Sequence, residues 1–177
     1  YLVESVPFQD RGEEHFKIHP FGQVPWLEDG DISIFESGAI VLYIAERSEK
    51  LMPTDPQGRA NVTQWIFAAL NSVEMASLPY SIYKFVDDQE ETPGRQALDG
   101  FLTSRLENMD RYLSDRDWLT GSFSAADILM ADVLRLINRF DGLAEYPQCR
   151  SYVERATSRP AFSTVYANQL AHFAKAD

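Results

Sequence analysis

The sequence predicts a molecule of two parts, in which a small α+β domain precedes an all-helical domain. An Asp29-Gly30 pair separates two short apolar runs, a pattern typical of a tight β-hairpin. Prolines and a glycine then cluster within a few residues, and apolar residues at helical spacing follow. The predicted parts are an α+β domain at 1–48, a linker at 49–58 and an all-α domain at 59–177.

The composition fits a packed globular protein and argues against two classes of partner. Of the 177 residues, 45% are hydrophobic, which is ample for a core. The 16 basic and 27 acidic residues give a net charge of −11, which repels phosphate backbones, so we expect no nucleic-acid partner. Because no run of about 18 apolar residues occurs, we expect no membrane span.

Cys149 is the single cysteine and cannot form an internal disulfide, which fits the reducing cytoplasm. We interpret it as a buried, inert thiol rather than a nucleophile. The histidines His15, His19 and His172 show no metal-ligand spacing with it. We therefore predict no metal site.

The segment 1–6 looks like a β-strand, so that residues up to about 48 would hold three short strands and one helix. Such a unit is too small for a sound core, since domains below about 60 residues are marginal. No initiator methionine precedes Tyr1. We interpret the chain as lacking the beginning of its first domain.

Val24-Pro25 leads directly into the first strand of the predicted hairpin. Proline donates no hydrogen bond and is normally excluded from strand interiors. A cis bond, which costs about 0.5–1 kcal/mol before proline, would resolve this conflict. The N–H and C=O of Val24 would then be free to pair with an extended peptide.

Glu36-Ser37 follows the hairpin at the predicted start of a helix. Unpaired N–H groups at a helix start attract a carboxylate, and the Glu36 side chain would hold an ammonium group nearby. Together with Val24, the pair would bind a free amino-acid end. The alternative is that Asp29-Gly30 forms an ordinary hairpin and that Glu36-Ser37 only caps a helix.

The second part of the sequence predicts long amphipathic helices. One begins at Arg59 and bends at Pro79, and another begins after Thr92-Pro93, so that the two form an antiparallel pair. Ser124 and Asp127 predict a capping box at a third helix, which explains both residues without a catalytic role.

These motifs resemble the glutathione transferase superfamily. The resemblance is carried by Gln23-Val24-Pro25, by Glu36-Ser37 and by the spacing between them, and the Ser124 capping box is similar to one in that family's helical domain. In the family, the Val-Pro peptide binds the cysteinyl backbone of glutathione, and the Glu-Ser pair binds the γ-glutamyl amino and carboxylate groups. The resemblance implies a thioredoxin-like domain, here without its first strand and helix, followed by a helical bundle.

The resemblance also implies an activity, with glutathione as co-substrate and small hydrophobic electrophiles as acceptors. The implied glutathione-binding residues are Val24, Glu36, Ser37, Gln23 and Arg11, although a solvated loop arginine remains the alternative for Arg11. The family's thiol-activating Ser, Tyr or Cys lies in the segment before Tyr1, so the catalytic residue is unknown.

Further features acquire a meaning through the same resemblance. Glu74 either approaches the ligand's amino group or is a simple exposed carboxylate. Phe21 occupies the position where some relatives insert an aromatic ring into a partner subunit, which implies a homodimer. Aromatic residues Phe67, Tyr80 and Tyr83 offer a surface between the two domains, although helical aromatics more often belong to the core.

Two other functions remain open. A non-catalytic member of the same fold would use the domain as a binding scaffold for a partner macromolecule. A glutathione-dependent thiol oxidoreductase would carry Cys in place of Ser or Tyr at the thiol-activating position.

Overall fold

The computed structural model describes residues 1–6 and 11–174 of the chain. Two β-strands and eight α-helices occur in these residues, together with a π-helical segment at Ala69–Glu74 and a 3₁₀ turn at Leu113–Asp115. The strands are β1 (Trp26–Asp29) and β2 (Ile32–Phe35). The helices are α1 (Glu13–Ile18), α2 (Ser37–Ala45), α3 (Pro56–Ala68), α4 (Met75–Phe85), α5 (Pro93–Tyr112), α6 (Ala125–Asn138), α7 (Pro147–Thr157) and α8 (Pro160–Phe173).

The predicted hairpin is confirmed. Strands β1 and β2 pair antiparallel, with Trp26 opposite Phe35 and Asp29 opposite Ile32. Gly30 in the connecting turn has a φ of +63°, a conformation that glycine adopts without steric conflict. Helix α2 packs against both strands, so the hairpin and the mouth of α2 form one unit.

The prediction of a strand at the N-terminus is wrong for the described residues. Segment 1–6 forms no strand, and Tyr1 and Leu2 are 98% and 93% exposed. Among residues 1–6 and 11–174 the sheet contains only β1 and β2, so in that part of the chain the segment has no strand to pair with. The short helix α1 was not predicted, because six residues with one buried side chain, His15, give no periodic apolar face.

Helix α6 lies at the centre of the helical part, where it packs against α2, α3, α4 and α7. Most of its apolar residues are buried, whereas Ile128 and Leu136 are 40% and 39% exposed. The innermost side chains of the core are Val62, Ile66, Met130, Leu134, Ile137, Leu143 and Tyr152.

The first long helix differs from its prediction in two ways. It begins at Pro56, where Asp55 accepts a hydrogen bond from the Gly58 N–H at 2.8 Å, so it starts within the predicted linker. It is also interrupted by the π-helical segment Ala69–Glu74 before α4 continues through Pro79. The division into 1–48, 49–58 and 59–177 stays a prediction.

Two predicted helix starts are confirmed by their caps. The Thr92 hydroxyl accepts a hydrogen bond from the Arg95 N–H at 3.1 Å at the start of α5. Ser124 and Asp127 form the capping box of α6. Asp127 is fully buried and also accepts hydrogen bonds from the Leu119 N–H and the Tyr152 hydroxyl, at 3.0 and 2.8 Å.

Candidate functional site

The Val24-Pro25 peptide bond is cis, as the sequence predicts. Val24 is 50% exposed and lies immediately before the hairpin, whose pairing begins at Trp26. No backbone hydrogen bond joins Val24 to another described residue. Its N–H and C=O are therefore open to an extended partner that approaches the outer side of the loop.

The buried residue His15 fixes the loop that carries Val24. Its Nε2 lies 2.9 Å from the carbonyl oxygen of Gln23, so this nitrogen donates, and its ring meets the edge of Trp26 at a centroid distance of 5.2 Å. Gly22, at a φ of +63°, has no room for a side chain, since a Cβ would lie 2.5 Å from Cε1 of Phe16. Sequence reasoning missed His15, because a lone histidine on a short helix carries no local signal of this contact.

Glu36 and Ser37 form the mouth of α2. Glu36 is the N-cap residue with a φ of 73° and a ψ of 122°, and its side chain makes no capping hydrogen bond. The first intrahelical bond joins the Ile40 N–H to the Glu36 carbonyl at 2.9 Å. The N–H groups of the first turn are therefore left without an acceptor, which is the arrangement that binds a carboxylate.

A close helix contact positions this mouth. Gly38 is buried, and a Cβ at this position would lie 2.6 Å from Cδ1 of Leu70, so the start of α2 packs directly on the π-helical segment. Glu74 ends that segment. Burial, and then the charges of Asp132 and Glu36, raise the pKa of Glu74.

The structure thus brings Glu74 into electrostatic contact with Glu36. Glu74 is exposed, and both roles that the sequence left open for it stay predictions. A positively charged group placed between the two carboxylates would be attracted by both.

Gln23 and Arg11, the other residues predicted to bind glutathione, lie outside the α2 mouth. Gln23 is exposed next to Val24, and Arg11 is half-buried immediately before α1. Tyr1 is nearly fully exposed and belongs to no element. Cys149 is buried, and burial together with the neighbouring Asp110 raises the pKa of its thiol to about 12, so it is protonated and inert at neutral pH.

The three aromatic residues considered for an acceptor surface have different surroundings. The Tyr80 hydroxyl donates to the Phe140 carbonyl at 3.1 Å, and the Arg95 guanidinium lies 4.7 Å from the Tyr83 ring centroid. Phe67 is 54% exposed. Tyr80 and Tyr83 thus have structural partners, and Phe67 alone of the three is open to contact.

Two negative findings apply to the described residues. No group of three His, Cys, Asp or Glu side chains among residues 1–6 and 11–174 is arranged to hold a metal ion. None of the helices in that part of the chain is long and apolar enough to cross a bilayer.

The comparisons with known proteins agree on one family. Residues 2–46 match the family model for the glutathione S-transferase N-terminal domain, and residues 71–160 match the model for the C-terminal domain. Glutathione S-transferase F14 of Arabidopsis thaliana is 30% identical over 164 residues, which cover 82% of this chain and 63% of that protein. Disulfide-bond oxidoreductase YfcG of Escherichia coli is 31% identical over 170 residues, which cover 84% of this chain and 73% of that protein.

Solved structures agree with the sequence relatives. The glutathione S-transferase from Pseudomonas fluorescens superposes with a TM-score of 0.75 at 26% identity, and the match covers 85% of this chain and 77% of that one. This chain therefore spans less than two thirds of the plant relative and about three quarters of the bacterial proteins.

Proposed function

The chain belongs to the glutathione S-transferase family, and we propose that it binds glutathione between Val24 and the α2 mouth and conjugates the thiol to small hydrophobic electrophiles. The proposal rests on two places where backbone groups have no hydrogen-bond partner and can pair with a ligand. Val24 offers an unpaired N–H and C=O, and the first turn of α2 offers unpaired N–H groups beside two carboxylates.

Each part of the tripeptide has a matching group. The Val24 backbone pairs with the cysteinyl unit as an added strand. The Ser37 hydroxyl and the N–H groups of α2 hold the γ-glutamyl carboxylate, while Glu36 and Glu74 attract its ammonium. Gln23 and Arg11 are the candidates for the glycyl end, where a guanidinium suits a carboxylate.

The proposed reaction begins with the thiolate. A free thiol has a pKa of about 8.5, so a hydrogen-bond donor or a positive environment must favour the anion near neutral pH. The thiolate then attacks an electrophilic carbon, a carbon–sulfur bond forms, and the leaving group departs with its electron pair. The thiol-activating residue stays unassigned.

A second candidate is a glutathione-dependent thiol oxidoreductase, which the similarity to YfcG favours. The two reactions share the glutathione site and differ in the acceptor, which is carbon for the transferase and a disulfide sulfur for the oxidoreductase. A model aryl halide and a small-molecule disulfide, assayed in parallel with glutathione, distinguish them.

We also propose that the protein acts in the cytoplasm.

We further propose that the protein forms a homodimer. Phe21 is 71% exposed on the loop before β1. A cavity of about 370 Å³ lies elsewhere on the surface, between α3, the π-helical segment and α5, with Trp65 and Tyr112 in its wall. The aromatic part of the cavity wall in one copy suits the ring of another, although Arg105 and Asn108 also line the cavity.

Ser37→Ala tests the glutathione site. We expect it to weaken glutathione binding by about 1–2 kcal/mol, because a charge-assisted hydrogen bond to the γ-glutamyl carboxylate is lost. Isothermal titration calorimetry measures the dissociation constant. Ser33→Ala, on the exposed side of β2, is the matched control and should bind as the wild type does.

Two results would contradict the proposal, each in a different way. An unchanged dissociation constant in Ser37→Ala would remove that hydroxyl from the site. A wild-type protein that binds no glutathione would favour the scaffold function instead.

A further inference from the structure

The side chain of His15 is buried beneath the loop that carries Val24. It is 7% exposed, and its Nε2 lies 2.9 Å from the carbonyl oxygen of Gln23. Its other ring nitrogen, Nδ1, is buried and has no hydrogen-bond partner in the described part of the chain. Since a carbonyl oxygen only accepts, Nε2 carries a hydrogen and donates it to Gln23. The imidazole thus directs its hydrogen-bonding capacity at this loop.

Backbone hydrogen bonds hold the beginning of the same loop against α1. The His19 N–H donates to the His15 carbonyl, and the Gly22 N–H donates to the His19 carbonyl, both at 2.8 Å. Strand pairing in the hairpin begins only at Trp26. Among the described residues, no backbone hydrogen bond reaches the peptide between Gln23 and Val24. The orientation of this peptide is therefore set by a side chain, that of His15, rather than by secondary structure.

The planarity of the peptide unit links His15 to the backbone of Val24. The Gln23–Val24 peptide bond is trans. In a trans peptide the C=O and the following N–H lie in one plane and point in opposite directions. Because the Gln23 C=O points at the buried imidazole, the Val24 N–H points away from it. Val24 itself is 50% exposed, so this N–H is accessible to a ligand.

We propose that His15 is a positioning residue of the glutathione site. By holding the Gln23 carbonyl, it directs the Val24 N–H toward the cysteinyl carbonyl of glutathione, although it touches no part of the ligand itself. Without this bond, the peptide between Gln23 and Val24 can rotate about the single bonds on either side. The fraction of molecules that can bind then falls, and the apparent affinity falls with it. This inference rests on the proposed function and adds to it a residue that acts through the loop.

Three substitutions of His15 separate the hydrogen bond from the packing of the ring. Phe keeps a ring against Trp26, whose centroid lies 5.2 Å from that of His15, but it donates nothing. Gln places an amide nitrogen about where Nε2 lies, whereas Asn places one about where Nδ1 lies. We expect His15→Phe and His15→Asn to weaken glutathione binding about tenfold, and His15→Gln to stay within about twofold of the wild type. Isothermal titration calorimetry of the full chain with glutathione measures the three dissociation constants.

His19→Asn is the matched control for His15→Asn. His19 is also buried, at 2% exposure, and its ring packs 4.7 Å from that of Phe35. Its Nδ1 has no hydrogen-bond partner among the described residues. Both Asn variants lose a buried ring, so both should unfold at lower urea concentration than the wild type. A merely structural role predicts equal losses of affinity, whereas we expect His19→Asn to bind glutathione as the wild type does.

The outcomes separate this role from the glutathione site itself. Unchanged affinity in His15→Phe, equal weakening by Gln and Asn at position 15, or equal weakening by Asn at positions 15 and 19 would each overturn the positioning role. Each of these results would leave the glutathione site in place, because the wild type still binds. A wild type that binds no glutathione would overturn the proposed function and the role of His15 together.

Discussion

Glu36 has a backbone conformation that residues other than glycine rarely adopt, with a φ of 73°. Such a conformation costs about 1–3 kcal/mol and persists where the surroundings impose it. Here the tight contact of Gly38 with Leu70 and the bond from Ile40 N–H to Glu36 C=O fix both sides of the residue. Strained residues concentrate at ligand sites, which agrees with the proposed role of the α2 mouth.

Glu74→Gln tests the carboxylate pair through stability. The pKa of Glu74 is raised, first by burial and then by Asp132 and Glu36, so its ionisation is disfavoured in the folded state. The wild type therefore loses stability as the pH rises through the ordinary Glu pKa toward the raised one, and the loss persists above it. We expect Glu74→Gln to be more stable than the wild type at pH 7 by about 0.3 kcal/mol, a small value because solvent screens the group, with no gain near pH 4.

The same substitution should have the opposite effect on the ligand. Loss of a carboxylate beside Glu36 weakens attraction for the γ-glutamyl ammonium, so glutathione affinity should fall while stability rises. Urea unfolding at pH 4 and pH 7 and calorimetric titration measure the two quantities, with the exposed Glu107→Gln on α5 as control. If affinity is unchanged while stability rises, Glu74 is only a repulsive neighbour of the site.

Individual site residues differ in how far the sequence predicts them. Val24, Glu36 and Ser37 belong to short motifs whose local geometry, a cis bond and a helix mouth, follows from adjacent residues. The contact of His15 with Gln23 and the approach of Glu74 to Glu36 depend on how separate elements pack. No local pattern encodes such distances, so they emerge only from the structure.

The start of α6 is held by one buried carboxylate with four hydrogen bonds. Asp127 accepts from the N–H and hydroxyl of Ser124 at 2.8 and 3.0 Å, from the Leu119 N–H and from the Tyr152 hydroxyl. Burial, and then the charge of Asp127, raise the pKa of Tyr152, so that its hydroxyl stays a donor. One carboxylate thus joins α6 to α7 and to the preceding loop.

Asp127→Ala should destabilise the fold strongly. Four buried donors lose their acceptor, so we expect a loss of about 3 kcal/mol or more in the free energy of unfolding. Urea unfolding followed by Trp118 fluorescence measures it, since this ring lies 5.9 Å from the Tyr152 ring. Asp132→Ala, exposed on the same helix, should change the value by less than about 0.5 kcal/mol, and a similar result for both variants would contradict the account.

Helix starts could be predicted from the sequence, whereas the π-helical segment could not. The start of α5 and the capping box of α6 were predicted correctly, because proline in the first helical turn and a capping residue three positions from its partner are both local signals. The π-helical segment Ala69–Glu74 was not, because the apolar spacing around it is that of an ordinary α-helix. Its position at the contact between Gly38 and Leu70 shows that tertiary packing accompanies the irregularity.

The protein combines a strong negative charge with exposed apolar side chains. The net charge of −11 opposes close approach of two copies through long-range repulsion, which salt screens. Short-range burial of aromatic side chains must outweigh this repulsion if a dimer forms. Phe21 and the cavity walled by Trp65 and Tyr112 are the surfaces suited to do so.

Phe21→Ser therefore tests the homodimer. A buried aromatic at the centre of an interface commonly contributes about 2 kcal/mol or more, and both copies lose it, so we expect the dimer dissociation constant to rise by about thirtyfold or more. Ser72→Trp, at an exposed position in the cavity wall, should have a comparable effect by filling the space that the ring would enter. Sedimentation equilibrium at moderate salt measures both, with the 52% exposed Phe173 on α8 changed to serine as control. A wild-type monomer, or a Phe21→Ser dimer as tight as the wild type, would show that this loop is not the contact, since the charge is the same in every variant.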